Sequence, residues 1–374
     1  MPKTQDAANM SLALALGKRG LGQCWPNPSV GAVVAEPSGR IVSCGWTGSG
    51  GRPHAEAIAL AQAGDAARGA TLYATLEPCA HWGKTPPCVD TIISAGIARV
   101  VYGVVDPDPR VAGRGVKKLR ENHIEVVQGP FAAEARWQTL GHELRVTARR
   151  PFMQLKLAVD GDGMVPAGGG GMPVWATGQE ARALSHLIRA EADAIMVGYG
   201  TVLADDPDLT CRLPGLSWRS PVRVILSTDG RFSRYSRMLK NLSTAPLWIF
   251  TAADVPQRAK TRLESLGATV ITVAKNPHGR LDLHAVVYEL AERGITRLLV
   301  EGGPSLEMNL LRADLADEIL IFQGAKETVG PALMPFAPAG LDAVTDTGIY
   351  SRAGMREIGG DRVWVYRRAQ FWNG

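Results

Sequence analysis

The chain has 374 residues, of which 45% are hydrophobic and 21% are charged, and its net charge is +5. This length predicts two domains, and the composition is that of a folded protein without a disordered charged tail. The positive excess is spread along the chain and aromatic residues make up only 6%, which argues against a nucleic-acid groove and is compatible with a phosphorylated small molecule.

The first twenty residues contain a short apolar patch, LALAL, without the pattern of a signal peptide. Asp6 precedes the patch and no small-residue cleavage site follows it. No apolar run approaches the ~18 residues that a membrane span needs. We therefore expect a cytoplasmic protein that does not bind a membrane, in a compartment where disulfides are rare.

From Met10 to about residue 146, helical and strand patterns alternate. Glycines end several of the helical segments, as with Gly64 after HAEAIALAQAG. The alternation predicts an α/β layer in which helices cover a mixed sheet. The predicted helices span residues 11–20, 54–64, 88–96 and 133–150, and the predicted strands span 30–36, 40–47, 70–75 and 98–109.

A domain boundary is predicted at Pro151, where a helical pattern ends and the strand pattern FMQLKLAV begins. We therefore expect one domain over residues 1–150 and a second over 151–374. The segment AGGGGMP, residues 167–173, is predicted to be a mobile loop. The other predicted elements of the second domain are helices over 180–192 and 283–294, strands over 194–199, 222–228, 246–252, 268–274 and 296–302, and a helix followed by a strand over 318–324.

Cys79 and Cys88, nine positions apart in EPCAHWGKTPPC, can be a disulfide, a metal clamp or two small buried residues. The compartment and the odd total of five cysteines argue against a disulfide. A lone cytoplasmic cysteine is usually a buried hydrophobe, but here His54 supplies a third partner. The strand over 70–75 returns the chain from the helix of His54 to Cys79. His54, Cys79 and Cys88 together predict a catalytic zinc site with its fourth position open to water.

Glu56 lies two residues after His54, so on a helix it points away from the ligand and can take part in proton transfer beside the metal. The order H-x-E followed by P-C is typical of zinc deaminases. The second cysteine departs from that pattern, because eight residues rather than two separate it from the first. The inserted loop offers His81, Lys84 and Thr85 to a polar ligand. We also expect both cysteines near helix starts, where the helix dipole favours a thiolate.

Several segments resemble the bifunctional riboflavin-biosynthesis deaminase–reductase family. WPNPSVGAVV, GRPHAEAIAL, EPCAHWGKTPPC and DPDPRVAGRG resemble its deaminase half, and KLAV, RAEADAIMVGYGTVLADDPDLTCR and LLVEGG resemble its reductase half. The resemblance implies a zinc-dependent, cytidine-deaminase-like α/β/α domain followed by an NADPH-dependent, dihydrofolate-reductase-like α/β domain. It implies deamination of 2,5-diamino-6-ribosylamino-4(3H)-pyrimidinone 5′-phosphate, and then reduction of the ribosyl group to ribityl.

The resemblance also implies roles for individual residues. Asn27 has groups suited to a pyrimidine edge and Lys84 suits the phosphate, although an asparagine between prolines is also a common turn former. Arginine forks match phosphate geometry, whereas a solvated helix face is the alternative for Arg189. The residues implied to contact NADPH are Ala158, Trp175, Thr201, Asp205, Thr228 and Gly303. Those implied to hold the ribosyl phosphate substrate are Arg189, Leu209, Arg212 and Glu301.

The chain departs from the family pattern at a few positions. Trp82 stands where the family usually has a second histidine, and Asp160 and Gly161 interrupt the usual Ser-Leu-Asp-Gly. Pro173 stands where a serine contacts substrate, and proline has no hydroxyl donor. We expect Asp160 to add a carboxylate near the nicotinamide and the sugar phosphate, so the reductase should work with weakened substrate binding.

Two other functions are weighed against this one. A nucleic-acid-editing deaminase is disfavoured by the cysteine spacing and the scarcity of aromatic residues. A deaminase whose second domain only binds a ligand or dimerises is the other alternative, and NADPH oxidation with the deaminated substrate distinguishes it. We expect a homo-oligomer that acts on a phosphorylated ribosylaminopyrimidine and has no nucleic-acid partner.

Overall fold

The structure is a computed structural model that describes residues 4–83, 86–109, 111–167, 174–328, 330–336, 339–345 and 347–372. The chain divides into two compact units. The first comprises Met1–Pro151 and Ala291–Thr296, and the second comprises Phe152–Leu290 and Arg297–Gly374. Every helix in the described part of the chain is too short or too polar to span a lipid bilayer.

The first unit is built on a five-stranded sheet with the strand order β2-β1-β3-β4-β5. Strand β1 is antiparallel to β2 and β3, whereas β3, β4 and β5 are mutually parallel, so the predicted mixed sheet is confirmed. The strands are β1 Gly31–Ala35, β2 Ile41–Trp46, β3 Thr71–Leu76, β4 Arg99–Val104 and β5 Glu125–Gln128. The helices are α1 Thr4–Lys18, α2 Ala55–Ala63, α3 Cys88–Ser94, α4 Arg114–Glu121 and α5 Ala132–Thr147.

Both faces of this sheet carry apolar side chains, so its central strands are buried except at their ends. On one face, Leu72 and Val100 pack with residues of α2, α3 and α4. On the other face, Val33 and Val101 pack with Met10 of α1. Neighbouring residues of β4 thus serve opposite faces, as the pleat of a strand requires. The result is the three-layer α/β/α arrangement that the resemblance implies.

The second unit contains a nine-stranded sheet with the order β11-β10-β9-β8-β12-β6-β13-β16-β15. The strands from β11 to β13 are parallel, and β16 and β15 add an antiparallel edge. The strands are β6 Phe152–Val159, β7 Val165–Pro166, β8 Ala194–Gly198, β9 Val222–Leu226, β10 Leu247–Ala252, β11 Thr269–Val273, β12 Arg297–Val300, β13 Glu318–Gln323, β14 Ala332–Leu333, β15 Tyr350–Ile358 and β16 Asp361–Arg368. The helices are α6 Gln179–Ala190, α7 Tyr199–Asp205, α8 Gln257–Ser265, α9 Leu283–Glu292, α10 Pro304–Arg312, α11 Asp342–Thr345 and α12 Ala369–Trp372.

Several elements were not predicted from the sequence. In the first unit these are α4 and the four-residue strand β5, which follow the DPDP turn. In the second unit they include α7, α8 and the hairpin of β15 and β16. Most residues of β15 are partly or fully exposed, so the strand lacks the apolar run by which the buried strands were recognised. Residues 168–173, which hold most of the predicted mobile loop, lie outside the described residues.

Candidate active sites

Three elements of the first unit bring the predicted zinc ligands together. His54 is the residue that precedes α2, and Cys88 is the first residue of α3. Cys79 lies three residues beyond the end of β3, in a segment that is not helical. The expectation that both cysteines lie near helix starts therefore holds for Cys88 and is wrong for Cys79, which follows Pro78 in irregular backbone.

The donor atoms of these three residues all lie within 4.8 Å of one another. His54 Nδ1 is 3.2 Å from Cys88 Sγ and 3.6 Å from Cys79 Sγ. Tetrahedral zinc with Zn–S of about 2.3 Å and Zn–N of about 2.1 Å needs an N···S separation of about 3.6 Å. The nitrogen and sulfur donor set and its spacing therefore fit a zinc ion without rearrangement of the backbone.

Hydrogen bonds and burial set the protonation of this cluster. The hydrogen bond from the Cys88 side chain, with a further one from the Cys88 backbone N–H at 3.3 Å, lowers the pKa of Cys79 to about 4. Cys79 is therefore a thiolate, the form that binds metal. Glu56 is only 4% exposed, and burial raises its pKa to about 7, with the charge of Cys79 adding to the effect and His54 opposing it. A carboxyl group with this pKa both takes up and releases a proton near neutral pH.

The segments that flank the zinc cluster contain the other predicted deaminase residues. Asn27 Nδ2 donates to the carbonyl of Gly51 at 2.8 Å, which ties Asn27 to the loop that leads into His54. His81 has a buried Nδ1 with no hydrogen-bond partner among the described residues, and Trp82 is 73% exposed. Lys84 and Thr85, which the sequence pattern also selected, lie outside the described residues.

The second unit contains a cavity of about 2190 Å³ at the carboxyl ends of its parallel strands, the edge at which open α/β sheets bind ligands. A single ligand pocket usually measures about 300–1000 Å³, so this volume accommodates two ligands. The predicted NADPH and substrate residues that line it are Ala158, Trp175, Thr201, Asp205, Thr228, Gly303, Arg189, Arg212 and Glu301.

Leu209 differs from the other predicted reductase residues. Its side chain is 2% exposed and packs in the core with Val202 and Phe232, and it is absent from the lining of the cavity. Its backbone is left-handed, with φ of 56°. The side chain of Leu209 is thus not available to a ligand in this cavity, and its predicted role as a substrate residue stays a prediction.

Arg189 and Glu301 form a bidentate ion pair in the cavity wall. Arg189 Nε and Nη2 donate to the two carboxylate oxygens of Glu301 at 2.8 and 2.7 Å, and each side chain is 12% exposed. Burial alone would raise the pKa of Glu301, but Arg189 and Lys156 outweigh it and hold that pKa at about 2. Arg189 is therefore not on a solvated helix face, and Glu301 is ionised at every physiological pH.

The titratable residues of this cavity that sequence reasoning missed include Lys156, His186 and Glu307. Lys156 lies in the middle of β6, and burial lowers the pKa of its ammonium group. The sequence could have identified this lysine as a candidate site residue, because it lies inside the apolar run FMQLKLAV and an unpaired charge in a buried strand is costly. Glu307 is fully buried on α10, where a single acidic residue gives no comparable pattern.

The prediction that Asp160 adds a charge near the ligands is wrong. Asp160 does not line the cavity. Its Oδ1 accepts from the backbone N–H groups of Asp162 and Met164, and its Oδ2 accepts from the backbone N–H and hydroxyl of Thr328. This carboxylate therefore closes the turn after β6. Pro173 lies outside the described residues, so its effect on substrate binding stays a prediction.

Comparisons with known proteins cover both units. Residues 3–104 match the cytidine and deoxycytidylate deaminase zinc-binding region, and residues 151–352 match the RibD C-terminal domain. The chain is 38% identical to riboflavin biosynthesis protein RibD of Aquifex aeolicus, over 97% of this chain and 98% of that protein. It is 36% identical to RibD of Escherichia coli, over 96% and 98% of the two chains.

Solved structures agree with the sequence comparisons. RibD of Acinetobacter baumannii superposes with a TM-score of 0.83 and 31% identity, covering 97% of this chain and 99% of that one. The diaminohydroxyphosphoribosylaminopyrimidine deaminase/5-amino-6-(5-phosphoribosylamino)uracil reductase of Thermotoga maritima gives 0.82 and 35% identity at the same coverage.

Proposed function

This chain belongs to the bifunctional riboflavin-biosynthesis deaminase–reductase family, and we propose that residues 1–150 carry its deamination step and residues 151–374 its reduction step. The protein is a zinc-dependent pyrimidine deaminase and an NADPH-dependent reductase of riboflavin biosynthesis. The observation that carries the assignment of residues is the convergence of His54, Cys79 and Cys88 beside the buried Glu56.

In the deaminase site, His54 and the two cysteines hold the zinc. When bound, zinc supplies a Lewis acid that activates water at neutral pH. Water adds to the ring carbon that bears the amino group, and the carboxyl group of Glu56 carries one proton of this water to the adjacent ring nitrogen and the other to the amino group, which leaves as ammonia while a carbonyl forms on the ring. Asn27 binds the edge of the pyrimidine, and Lys84 binds its phosphate.

When bound in the reductase cavity, NADPH would supply the hydride that reduces the ribosyl group of the deaminated product, with a proton from water completing the ribityl group. The residues that bind this cofactor are Ala158, Trp175, Thr201, Asp205, Thr228 and Gly303. The substrate is held by Arg189, Leu209, Arg212 and Glu301. Because Arg189 and Glu301 hold one another by two hydrogen bonds, they act as one rigid wall that fixes the position of the sugar phosphate.

Zinc analysis of purified variants tests the ligand set. Cys88→Ser should contain less than one tenth of the wild-type zinc, whereas Cys44→Ser, a free cysteine in β2, should keep all of it. Glu56→Gln should keep its zinc and lose deamination by at least about a hundredfold, the usual contribution of a general acid–base. Undiminished zinc in Cys88→Ser, or full deamination by Glu56→Gln, would refute the assignment.

We also propose that the enzyme is a cytoplasmic homo-oligomer. Membership of the family supports both the oligomer and the compartment. Light scattering of the purified full chain measures the first, and a mass equal to one chain of 39.9 kDa would contradict it. Fractionation of the source cells measures the second.

A further inference from the structure

One end of the reductase cavity contains a group of nitrogen donors that includes a residue with no assigned role. His186 and Arg189 lie three residues apart on α6, so they share one face of the helix. Both line the cavity, and so does Arg212. Since the reductase substrate carries a phosphate, the hydrogen-bond donors available at this end decide how that phosphate is held.

Most of the N–H donors of the Arg189 guanidinium are already hydrogen-bonded to other groups of the protein. Its Nε and Nη2 donate to Glu301, and its Nη1 donates to the carbonyl of Thr210 at 3.2 Å. Three of the five N–H donors of the guanidinium are thus used, and its charge is balanced by Glu301. A phosphate at this end of the cavity needs further donors.

His186 has one ring nitrogen fixed by the backbone. The N–H of Arg212 donates to His186 Nδ1 at 3.3 Å. A neutral imidazole has one donor and one acceptor nitrogen, so the tautomer of His186 that accepts this bond at Nδ1 has its proton on Nε2. Burial, together with the charges of Arg189 and Arg212, lowers the pKa of His186 to about 4, against the opposing effects of the Glu301 charge and of a hydrogen bond to the Thr210 backbone. The ring is therefore a neutral donor at working pH, and it adds no repulsion to the two arginines.

We propose that His186 donates its Nε2–H to the 5′-phosphate of the reductase substrate, beside the guanidinium of Arg212. The backbone bond to Nδ1 places the ring and the exposed Arg212 side chain on adjoining parts of the cavity wall. A phosphate monoester offers oxygens to both groups at once, and a neutral donor next to a cation is a combination that suits a dianion. The proposal rests on the assignment of Arg212 to the substrate.

Steady-state kinetics of the full-length protein with the deaminated substrate test the proposal. Asparagine at position 186 keeps an acceptor near Nδ1 and lacks the reach of Nε2, whereas glutamine keeps a donor near Nε2. His186→Asn should raise KM for the substrate about ten- to a hundredfold at unchanged kcat, as expected for one lost hydrogen bond to a charged group. His186→Gln should stay within about fivefold of the wild type. An equal rise in both variants would overturn the proposal.

Two internal comparisons identify the bound group. With the 5′-dephosphorylated substrate, the wild type and His186→Asn should have the same KM, because the contact is then absent from both. The KM for NADPH should not change, and a rise confined to NADPH would show that the phosphate belongs to the cofactor and would overturn the proposal. An unchanged kcat and an unchanged KM for NADPH report that the reductase unit of each variant is folded.

Arg212→Gln separates this proposal from the assignment on which it depends. A raised substrate KM in Arg212→Gln with a normal KM in His186→Asn would refute the role of His186 and leave the substrate site where we propose it. Normal KM values in both variants would refute the substrate site as well. Raised values in both, lost together on the dephosphorylated substrate, are the result we expect.

Discussion

Replacement of Glu301 by glutamine should destabilise the reductase unit far more than the loss of an ordinary surface charge. The change removes one negative charge from a bidentate pair in which each side chain is 12% exposed. The guanidinium of Arg189 then stays buried with only a neutral acceptor. Breaking one side of a buried pair typically costs about 3–5 kcal/mol, because the remaining charge is uncompensated.

The pKa of Glu301 gives an independent magnitude. It is about 2, against an ordinary value of 4.5, and each pKa unit corresponds to about 1.4 kcal/mol. The ionised carboxylate therefore adds about 3 kcal/mol to the free energy of unfolding at neutral pH. Because the pKa is lower in the folded state, this contribution is complete above pH 4.5 and is lost as the pH falls from 4.5 towards 2.

Calorimetry of the full chain at pH 7 measures the effect. For a unit of about 200 residues, 1 kcal/mol shifts Tm by roughly 2–4 °C, so Glu301→Gln should lower the reductase transition by about 6–12 °C. Glu357→Gln is the matched control, because Glu357 and Arg362 form a pair at 3.8 Å that is 70% and 56% exposed, worth at most about 1 kcal/mol. Equal shifts in the two variants would refute the argument.

Three further predictions concern the two units separately. Glu77→Gln should destabilise the deaminase unit by about 2–4 kcal/mol, since the buried Glu77 carboxylate accepts from the backbone N–H groups of Asp106, Gly113 and Val116 and the amide has only one acceptor oxygen; urea unfolding with a shift below about 0.5 kcal/mol would contradict this. Asp160→Ala should lower the Tm of the reductase unit because it removes the acceptor of four hydrogen bonds, and it should leave the KM for NADPH unchanged; a selective change in that KM would restore the idea that Asp160 faces the ligands. Removal of zinc by a chelator should lower the free energy of unfolding of the deaminase unit alone, by about 2.7 kcal/mol when the wild type is measured at a zinc concentration a hundredfold above Kd. Cys88→Ser should be insensitive to the chelator, and a chelator effect on this variant would count against the ligand set.

The sequence was sufficient for most of the fold and for the zinc cluster. Strand β6 was predicted at its observed bounds because FMQLKLAV lies between a proline and an acidic turn. The candidate zinc ligands were selected because thiol and imidazole groups at these spacings are typical of zinc sites, and the structure brings their donor atoms together. Strand β5 and the hairpin of β15 and β16 were missed, since short or half-exposed strands lack a continuous apolar run.

Contacts between side chains that are distant along the chain could not be predicted from the sequence. Arg189 and Glu301 are 112 positions apart, and only the parallel arrangement of the strands brings them into one wall. The role of Asp160 was misjudged for the same reason, because its partner Thr328 lies 168 positions away. His186 acquires a defined tautomer only through the backbone of Arg212, which is a contact that no local pattern contains.

The central claim is that two separate sites on one chain carry out two successive reactions, with Glu56 in the first. The most direct measurement is NADPH oxidation by Glu56→Gln, supplied in turn with the diaminopyrimidine substrate and with its deaminated product. We predict no oxidation with the diaminopyrimidine and the wild-type rate with the deaminated product. Oxidation at the wild-type rate with the diaminopyrimidine, or loss of oxidation with the deaminated product, would contradict the claim.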